Sequence, residues 1–516
     1  MSFLSPAALG QTLFCLSDGT QINAERFETL DGKFLLFVTG GSKPLEYPSS
    51  AVRGINVSCP SSQSAPVTAS LPATPPRFGI YGSNTIGERL MPMLIDAYGL
   101  KRMGVKPSSK LSGNEEQEIT IKSSAGIRAV IDLQAHGSAT AAPGLIDGKA
   151  LIGMASRQAN PEEARLVNAR FGVDIFARGN EHVLGLDGVA VIVNPNNPVK
   201  QMSLEQIAHI FSGQITSWKD VGGPDRLVKV FRRDNKSGTF DTFKSLVLGP
   251  SHLDVSPQAQ ALESSELLTS EVARDPDAIG FIGLPYIGRN VALTITSQCG
   301  IASSPSQFSV KTEEYPLTRR LYLYTIGAPS DSTAVDLIKF ALSDEAQATV
   351  QEAEFVDQGI TFQDSSEQHS WTESILANPS RTLPAGKLVP SDAIQQFRRL
   401  TQMRRSSIVF RFEAGSSRLD NRAQQDIVRL VRHLSSAGVS GKQFYIVGFA
   451  DATGGWAANQ KLAGERVAKV VAALESAGLR APKDSLLPLS YMAPAVCNDS
   501  EAGRRKNRRV EVWLAK

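Results

Sequence analysis

Short apolar runs and stretches of helical periodicity divide the chain into successive segments. Residues 11–60 contain apolar-rich runs broken by turn signals such as Asp31-Gly32, a pattern typical of a small β domain. In residues 77–360, an apolar run at 78–81 is followed by apolar residues at helical spacing, and the same order recurs later. Strands that alternate with helices predict a parallel or mixed sheet covered by helices.

The C-terminal residues 406–516 repeat this alternation on a smaller scale. An alternating apolar strand near their start is followed by an amphipathic helix that Asp420 is predicted to cap, and two further strands follow. Residues 61–76 are rich in Ser, Ala and Pro, and residues 361–405 are polar and interrupted by prolines. We predict that these two segments are linkers, because they offer little that would anchor a core.

Composition excludes several classes of protein. A chain of 516 residues with 41% hydrophobic and 20% charged residues is suited to about three folded domains. Its longest apolar runs reach five residues, whereas a membrane-spanning helix needs about 20. The net charge of +3 gives no case for nucleic-acid binding by the whole chain. We therefore expect no membrane span and no nucleic-acid partner.

Cysteine and histidine are sparse. The six histidines are scattered, with no spacing typical of zinc ligands, so we expect neither a metal nor a cofactor. Cys15 and Cys59 bracket a short segment and are candidates for a disulfide, although two unpaired thiols are an equal alternative. Cys299 and Cys497 have no evident partner. The start, MSFLSPAALG, lacks a basic region and a full apolar core, which indicates a missing or truncated signal peptide.

Two loops between a strand and a helix carry the pattern of an anion site. The first, Gly82 to Gly87, opens a helix with hydroxyls and free backbone amides. The second, Arg232 to Thr239, adds a guanidinium that can bind an oxyanion with two hydrogen bonds. The spacing differs from that of a P-loop. Hydroxyls at a helix start are most often simple caps, so the second loop carries more weight.

Ordered sequence blocks give residues 77–360 a family resemblance. They are Gly82-Ser-Asn-Thr-Ile, His136-Gly-Ser-Ala-Thr, Ile152-Gly-Met-Ala-Ser-Arg157, Leu186-Asp-Gly-Val-Ala-Val, Arg233 to Phe240, and Tyr315-Pro-Leu-Thr-Arg319. In this order they resemble the periplasmic phosphate-binding proteins of ABC importers. The resemblance implies a type II periplasmic-binding-protein fold, in which two α/β lobes hold the ligand in a cleft. It also implies that phosphate or a related oxyanion is bound by Thr85, the Ile86 amide, Ser138, Ser156, Arg233, Ser237, Gly238 and Thr239.

One position departs from the family pattern. Ser156, followed by Arg157, stands where many members have an Asp that accepts the proton of hydrogen phosphate and repels sulfate. Phosphate remains the first expectation, with sulfate-like anions or phosphate esters as alternatives. No nucleophile and base can be paired from the sequence, so we expect a binding protein and not an enzyme.

The C-terminal residues resemble the OmpA-like peptidoglycan-binding domain. The resemblance rests on Gly448-Phe-Ala-Asp451-Ala-Thr-Gly, on Asn459, Leu462 and Arg466, and on Asn507-Arg508-Arg-Val-Glu. It implies that Asp451, Asn459, Arg466 and Arg508 bind peptidoglycan. A diaminopimelate side chain ends in an ammonium and a carboxylate, so one anion and one cation suit it. The basic run that starts at Arg504 enters a strand, which argues against nucleic-acid binding.

Together these patterns predict a multidomain protein: a small N-terminal β domain, a two-lobed α/β domain and a C-terminal α/β domain. The expected function is a periplasmic receptor for phosphate or a related oxyanion, anchored to peptidoglycan in a Gram-negative-type envelope, with an ABC importer permease as a further partner. One alternative is a mainly structural wall-binding protein with a degenerate cleft. The other is an enzyme that acts on phosphorylated compounds.

Overall fold

The computed structural model describes residues 75–515, apart from 114, 236, 263, 378–382, 385, 413–417 and 437–442, and six stretches before them: 12–16, 21–24, 26–30, 33–38, 44–48 and 52–55. The chain forms two compact units, Met1–Pro72 and Ala73–Lys516. Among the described residues, no helix is both long and apolar enough to cross a bilayer.

The first unit is a small β structure. Its strands are β1 (Thr12–Leu16), β2 (Gln21–Ala24), β3 (Arg26–Leu30), β4 (Lys33–Phe37), β5 (Leu45–Pro48) and β6 (Val52–Ile55). They pair as two antiparallel sheets in the orders β2-β1-β6 and β3-β4-β5. Phe14, Leu16 and Leu36 belong to one buried cluster. The candidate disulfide between Cys15 and Cys59 stays a prediction, because Cys59 lies outside the described residues.

The second unit is built around one long sheet and a smaller C-terminal sheet. Its strands are β7 (Arg77–Gly82), β8 (Ser108–Gly113), β9 (Glu116–Ser123), β10 (Gly126–Gln134), β11 (Ala150–Ala155), β12 (Glu181–Val193), β13 (Gln201–Ser203), β14 (Lys229–Arg233), β15 (Gln260–Leu262), β16 (Ala278–Gly283), β17 (Val291–Ala292), β18 (Thr294–Thr296), β19 (Ala302–Ser303), β20 (Thr318–Tyr324), β21 (Met403–Arg411), β22 (Phe444–Phe449), β23 (Leu486–Pro488) and β24 (Arg509–Ala515).

The α-helices of this unit cover the sheets. They are α1 (Met91–Tyr98), α2 (Ala141–Ile146), α3 (Pro161–Phe171), α4 (Leu204–Ser212), α5 (Gly238–Phe243), α6 (Ser265–Arg274), α7 (Gln307–Lys311), α8 (Ser332–Ala341), α9 (Gln347–Glu352), α10 (Ser365–Ala377), α11 (Ser391–Leu400), α12 (Asn421–Leu434), α13 (Trp456–Ser476) and α14 (Glu501–Asn507). Wider π-helical turns at Ile86–Leu90 and Gly99–Met103 flank α1, and another at Lys244–Leu248 follows α5.

The long sheet runs through two lobes, in the order β15-β14-β16-β12-β20-β11-β7-β10-β9-β8. The first lobe, with β7 to β11, α1 and α8, has its own apolar core, and the second lobe, with β14 to β16 and α4 to α6, has two apolar clusters of its own. β12 joins them, because its first part pairs with β20 and its last part pairs with β16. Nearly every residue of β12 is buried, which explains its almost continuous apolar sequence. We call these two lobes the two-lobed domain.

The C-terminal domain, residues 403–515, has a four-stranded sheet in the order β21-β24-β22-β23. α12 and α13 pack on one face through Leu430, Val470 and other apolar residues. The other face carries α10 and α11, whose Trp371 and Phe397 rings lie 6.2 and 6.4 Å from the Trp513 ring. Much of the segment that we predicted to be a linker is therefore folded, because its few aromatic residues cover this face.

The two-lobed domain and the C-terminal domain are joined directly. Residues 361–363 pair with the edge of β21, where the Ser407 amide donates to the Thr361 carbonyl at 2.8 Å. A disulfide joins Cys299 to Cys497, across 198 residues of sequence. These two cysteines, for which no partner was evident from the sequence, are therefore partners of each other. Sequence spacing does not reveal a pair whose members come from different domains.

Candidate functional site

The first predicted loop follows β7 directly. At Gly82, φ is 144°, and a Cβ would lie 1.9 Å from the Met154 carbonyl oxygen, so only glycine lets β7 end this close to β11. The Ser83 amide donates to the same carbonyl oxygen at 2.9 Å. Thr85 then precedes the π-helical turn that starts at Ile86. The loop is thus held beside the end of β11, where Ser156 follows.

Three of the predicted hydroxyl residues come together here around a buried arginine. The Ser138 and Ser156 hydroxyls are 3.2 Å apart, and the Ser156 amide donates to the Ser138 hydroxyl at 3.0 Å. Arg319 donates from Nη1 to the Ser156 hydroxyl at 3.0 Å and from Nη2 to the Thr85 hydroxyl at 2.8 Å. One guanidinium therefore fixes the hydroxyls of two separate loops.

Asp187 orients this guanidinium. Asp187 and Arg319 are directly opposite in the pairing of β12 with β20, and Arg319 Nε donates to Asp187 Oδ2 at 3.1 Å. The same oxygen accepts from the Thr242 hydroxyl of α5 at 3.3 Å. Both charged side chains are at most 10% exposed. Burial lowers the pKa of Arg319, and Asp187 opposes that shift. The pair connects the first-lobe hydroxyls with a helix of the second lobe.

The third predicted loop lies at the start of α5. The Ser237 hydroxyl accepts from the Phe240 amide at 3.4 Å and is buried, so it caps α5, while Gly238 and Thr239 form the first turn. Arg233 Nη1 donates to the Ser265 hydroxyl at 2.5 Å, and its buried Nε has no partner among the described residues. Arg319 is thus the guanidinium that contacts the hydroxyls of Thr85 and Ser156, whereas Arg233 contacts Ser265 and is close enough to Glu88 to lower its pKa.

An acidic residue also faces this region. Glu88 is three residues beyond Thr85, and its surroundings include Glu115 of the first lobe and Asp234 of the second. Desolvation and these two carboxylates raise the pKa of Glu88 to about 7. Its charge consequently changes near neutral pH, beside the residues that we predicted to bind an anion.

Arg319 and Asp187 are the residues that sequence reasoning did not assign to the site. Both lie in blocks that carry the family resemblance, and both are charged residues within largely apolar strands. A charged side chain in a buried strand needs a partner, and that need was the available signal. The partner is identified only by the register of β12 and β20.

The second candidate site lies in the C-terminal domain, after β22. Asp451 Oδ2 pairs with Arg508 Nη1 at 2.9 Å, and Asp451 Oδ1 accepts from the Thr453 amide at 2.8 Å. Asn459 donates to the Thr453 carbonyl oxygen at 2.5 Å. Burial alone would raise the pKa of Asp451, but Arg508 and the Thr453 hydrogen bonds hold it below its ordinary value. Three of the four predicted residues therefore meet around one loop.

Arg466 has a different environment from the pair. Its guanidinium lies 5.8 Å from the centre of the Phe412 ring, and its buried Nη1 has no hydrogen-bond partner among the described residues. Burial lowers the pKa of Arg466, and Arg508 lowers it further. The loop thus presents a carboxylate that is already paired, and α13 carries a second guanidinium, that of Arg466, with an unused donor. That donor is suited to a carboxylate of a ligand.

Both domains of the second unit are similar to known proteins. A family model described as a PBP superfamily domain matches residues 114–345, and the OmpA family model matches residues 411–509. The phosphate-binding protein PstS of Bacillus subtilis is 29% identical over 224 residues, which cover 43% of this chain and 69% of that protein. PstS of Borreliella burgdorferi is 25% identical over 231 residues, with coverage of 44% and 79%.

Among solved structures, an ABC-type phosphate transport receptor from Vibrio cholerae is similar, with 25% identity and a TM-score of 0.42. The similarity covers 54% of this chain and 99% of that one. The two family matches and the curated relatives confirm the resemblances that the sequence motifs predicted, and with them the multidomain fold class.

Proposed function

We propose that this chain, in which a PBP superfamily domain is joined to an OmpA family domain, is a receptor for phosphate that is held at the cell wall. Its curated relatives are phosphate-binding proteins, and transfer of that activity to this chain is part of the proposal. The observation that carries it is the convergence of the Thr85, Ser138 and Ser156 side chains, with Arg319 donating to Thr85 and Ser156.

The arrangement suits a tetrahedral oxyanion. Hydroxyls and the amides of a helix start donate hydrogen bonds, and a buried guanidinium supplies positive charge where water does not screen it. Thr85 and Ser138 belong to the first lobe, and Ser237 and Thr239 belong to the second. An anion that bound both lobes would make more contacts when they approach each other, so binding would favour a closed cleft. Arg233 would be an additional ligand if it left Ser265.

Calorimetry with inorganic phosphate tests this function. We expect the wild-type chain to bind phosphate, Thr85→Val to bind it at least about tenfold more weakly, and Arg233→Ala to be weakened as well, because each loses a hydrogen-bond donor. Ser109→Ala, on the exposed strand β8, is the matched control and should bind as the wild type does. Parallel titrations with sulfate and a phosphate ester measure selectivity, which Ser156 is expected to relax.

The same titrations separate the alternatives. A chain that binds none of these anions would be a structural wall-binding protein with a degenerate cleft. Release of phosphate from the ester would reveal an enzyme. We favour the receptor because the assembled groups are hydroxyls around a guanidinium that Asp187 holds in place, with no nucleophile and base paired among the described residues of this site.

The C-terminal site is proposed to bind the diaminopimelate side chains of peptidoglycan. Asp451 would receive the ligand ammonium, and the unused donor of Arg466 would bind its carboxylate, with Asn459 and Arg508 holding the loop. Asp451→Ala and Arg466→Ala should each abolish sedimentation with purified peptidoglycan. Lys469→Ala, an exposed position on the same helix as Arg466, is the control. Retained sedimentation of both site variants would contradict the assignment.

If both activities are present, the protein would work in the periplasm of an envelope that contains peptidoglycan. A phosphate receptor there would deliver its ligand to an ABC importer permease, and the wall contact would keep it within the periplasmic space. Fractionation of cells that produce the full-length protein tests the location. Recovery in the cytoplasmic fraction would contradict it.

A further inference from the structure

A cavity of about 520 Å³ lies at the junction of the two-lobed domain and the C-terminal domain. Its floor is formed by β12 and β20, the strands that join the two lobes, and its other walls come from β21 and α14. The cavity is within the size range of small-molecule sites. We call it the junction cavity, and its charged lining includes Glu313, Arg320, Arg411, Asp420, Arg505 and Lys506.

We propose that the junction cavity is a second anion site, which binds a small multivalent anion such as phosphate or a di- or tricarboxylate. The proposal does not depend on phosphate binding between the lobes. It rests on the charges that line the cavity and on which of them already have partners.

The register of β20 separates this site from the first. Successive side chains of a strand point to opposite faces of the sheet. Arg319 reaches Thr85 and Ser156 on one face, whereas its neighbour Arg320 reaches Asp420 of the C-terminal domain on the other, at 2.9 Å. The two guanidinium groups therefore bind different partners, although Arg319 also borders the junction cavity.

The acidic groups of the cavity are already engaged. Glu313 accepts from Arg320 Nε at 2.5 Å, from Arg422 Nη1 at 2.9 Å, and pairs with Arg411 Nε at 3.0 Å. Asp420 pairs with Arg320 and also caps α12. Glu313 and Asp420 are thus shared among three arginines. Asp174 and Glu181 also line the cavity, and they accept hydrogen bonds from uncharged groups: the Phe176 amide for Asp174, and Gln158, Tyr324 and Asn421 for Glu181.

Two cations of α14 have no such partner. Among the described residues, the side chains of Lys506 and Arg505 make no hydrogen bond and no ion pair, although both line the cavity, with Lys506 half-buried and Arg505 exposed at its rim. The buried Thr318 hydroxyl also lines the cavity and has no hydrogen-bond partner there. An anion would supply the acceptor that these donors lack.

The lowered pKa of Lys506 also favours the binding of an anion in the junction cavity. Burial, together with the positive charges of Arg411 and Arg320, lowers the pKa of Lys506 to about 8, and Glu313 and Glu314 oppose this shift only in part. A cation that is disfavoured in this way gains from a bound negative charge. Anion binding should therefore weaken as pH rises through about 8, where Lys506 loses its proton.

Titration calorimetry of the full-length chain with citrate and with inorganic phosphate tests the site. We expect citrate to bind the wild type, and we expect Lys506→Met and Arg505→Ala each to weaken it at least about tenfold because a cationic donor is lost. Lys506→Arg should restore most of the affinity. Lys469→Met, at an exposed position of α13 that does not line the cavity, should bind as the wild type does.

The outcomes distinguish this proposal from the first one. If citrate binding depends on Lys506 while Thr85→Val leaves it unchanged, the second site is supported whether or not the cleft binds phosphate. If neither anion binds, or if Lys506→Met binds both as the wild type does, the proposal is wrong. Citrate binding that persists unchanged from pH 7 to pH 9.5 would also contradict it, since Lys506 is neutral at the upper value.

Discussion

Glu313 is the acidic residue on which arginines of both domains meet, so its replacement tests how firmly the domains are joined. Arg320 belongs to β20 of the two-lobed domain, whereas Arg411 and Arg422 belong to the C-terminal domain. All three contact the Glu313 carboxylate within 3.0 Å. Glu313→Gln keeps the shape of the side chain and removes its charge. It thereby leaves three guanidinium groups around a neutral amide.

The expected cost follows from the burial of this group. The Glu313 side chain is 11% exposed, and those of Arg411 and Arg422 are 6% exposed. Removal of one partner from a buried ion pair typically costs about 3–5 kcal/mol, because the remaining charge is desolvated and uncompensated. We expect Glu313→Gln to lower the free energy of unfolding of the second unit by about this amount.

Urea unfolding followed by tryptophan fluorescence measures the effect. Trp218 lies buried in the second lobe and Trp513 lies buried in the C-terminal domain, so both domains have a reporter. Glu162→Gln is the control, because that carboxylate pairs with Arg165 on the protein surface. A midpoint of Glu313→Gln equal to that of the control would refute the reasoning.

The pH dependence of the free energy of unfolding gives an independent check on Glu313. Burial alone would raise the pKa of Glu313, but Arg320, Arg411 and Arg422 hold it well below its ordinary value. A carboxyl with a lowered pKa in the folded state contributes stability above its unfolded pKa of about 4.3, and that contribution is lost as pH falls toward the folded value. The difference in free energy of unfolding between the wild type and Glu313→Gln should have its full size at pH 7 and should become smaller below a pH of about 4.

Three further predictions concern the cleft and the disulfide. Sulfate does not titrate near neutral pH, so its affinity for the wild type should rise severalfold from pH 8 to pH 6 as Glu88 is protonated, and Glu88→Gln should flatten this profile. Arg319→Met leaves Asp187 as an unpaired buried carboxylate beside the anion and should weaken phosphate binding at least about tenfold by calorimetry. Cys299→Ser opens the disulfide to Cys497 and should lower the urea midpoint by an amount equivalent to about 2–4 kcal/mol, whereas a reductant should lower the wild-type midpoint and leave the variant unchanged.

The spacing of apolar residues and the residues that start helices predicted those elements that depend only on neighbouring residues in the sequence. The strand, loop and helix around Thr85 and those around Ser237 lie where apolar spacing and helix-start residues placed them. The hydroxyls of Thr85, Ser138 and Ser156 were singled out because they matched a family pattern, and the structure brings them together.

The remaining features depend on contacts between distant segments. The role of Arg319 in the site follows from the register of β12 and β20, which places Asp187 opposite it. The sequence does not show this register. The Cys299 to Cys497 disulfide spans 198 residues and joins two domains, so spacing gave no sign of it. Helices α10 and α11 have few apolar residues and are held by Trp513 of a distant strand. Composition alone therefore suggested a linker there.

We propose that an oxyanion binds between the two lobes, at the hydroxyls held by Arg319. Calorimetric titration of the full-length protein with inorganic phosphate, in the wild type, Thr85→Val and Lys506→Met, tests it most directly. We predict a binding event that Thr85→Val weakens at least about tenfold and that Lys506→Met leaves in place. Absence of phosphate binding by the wild type, or binding that Thr85→Val does not change, would contradict the claim.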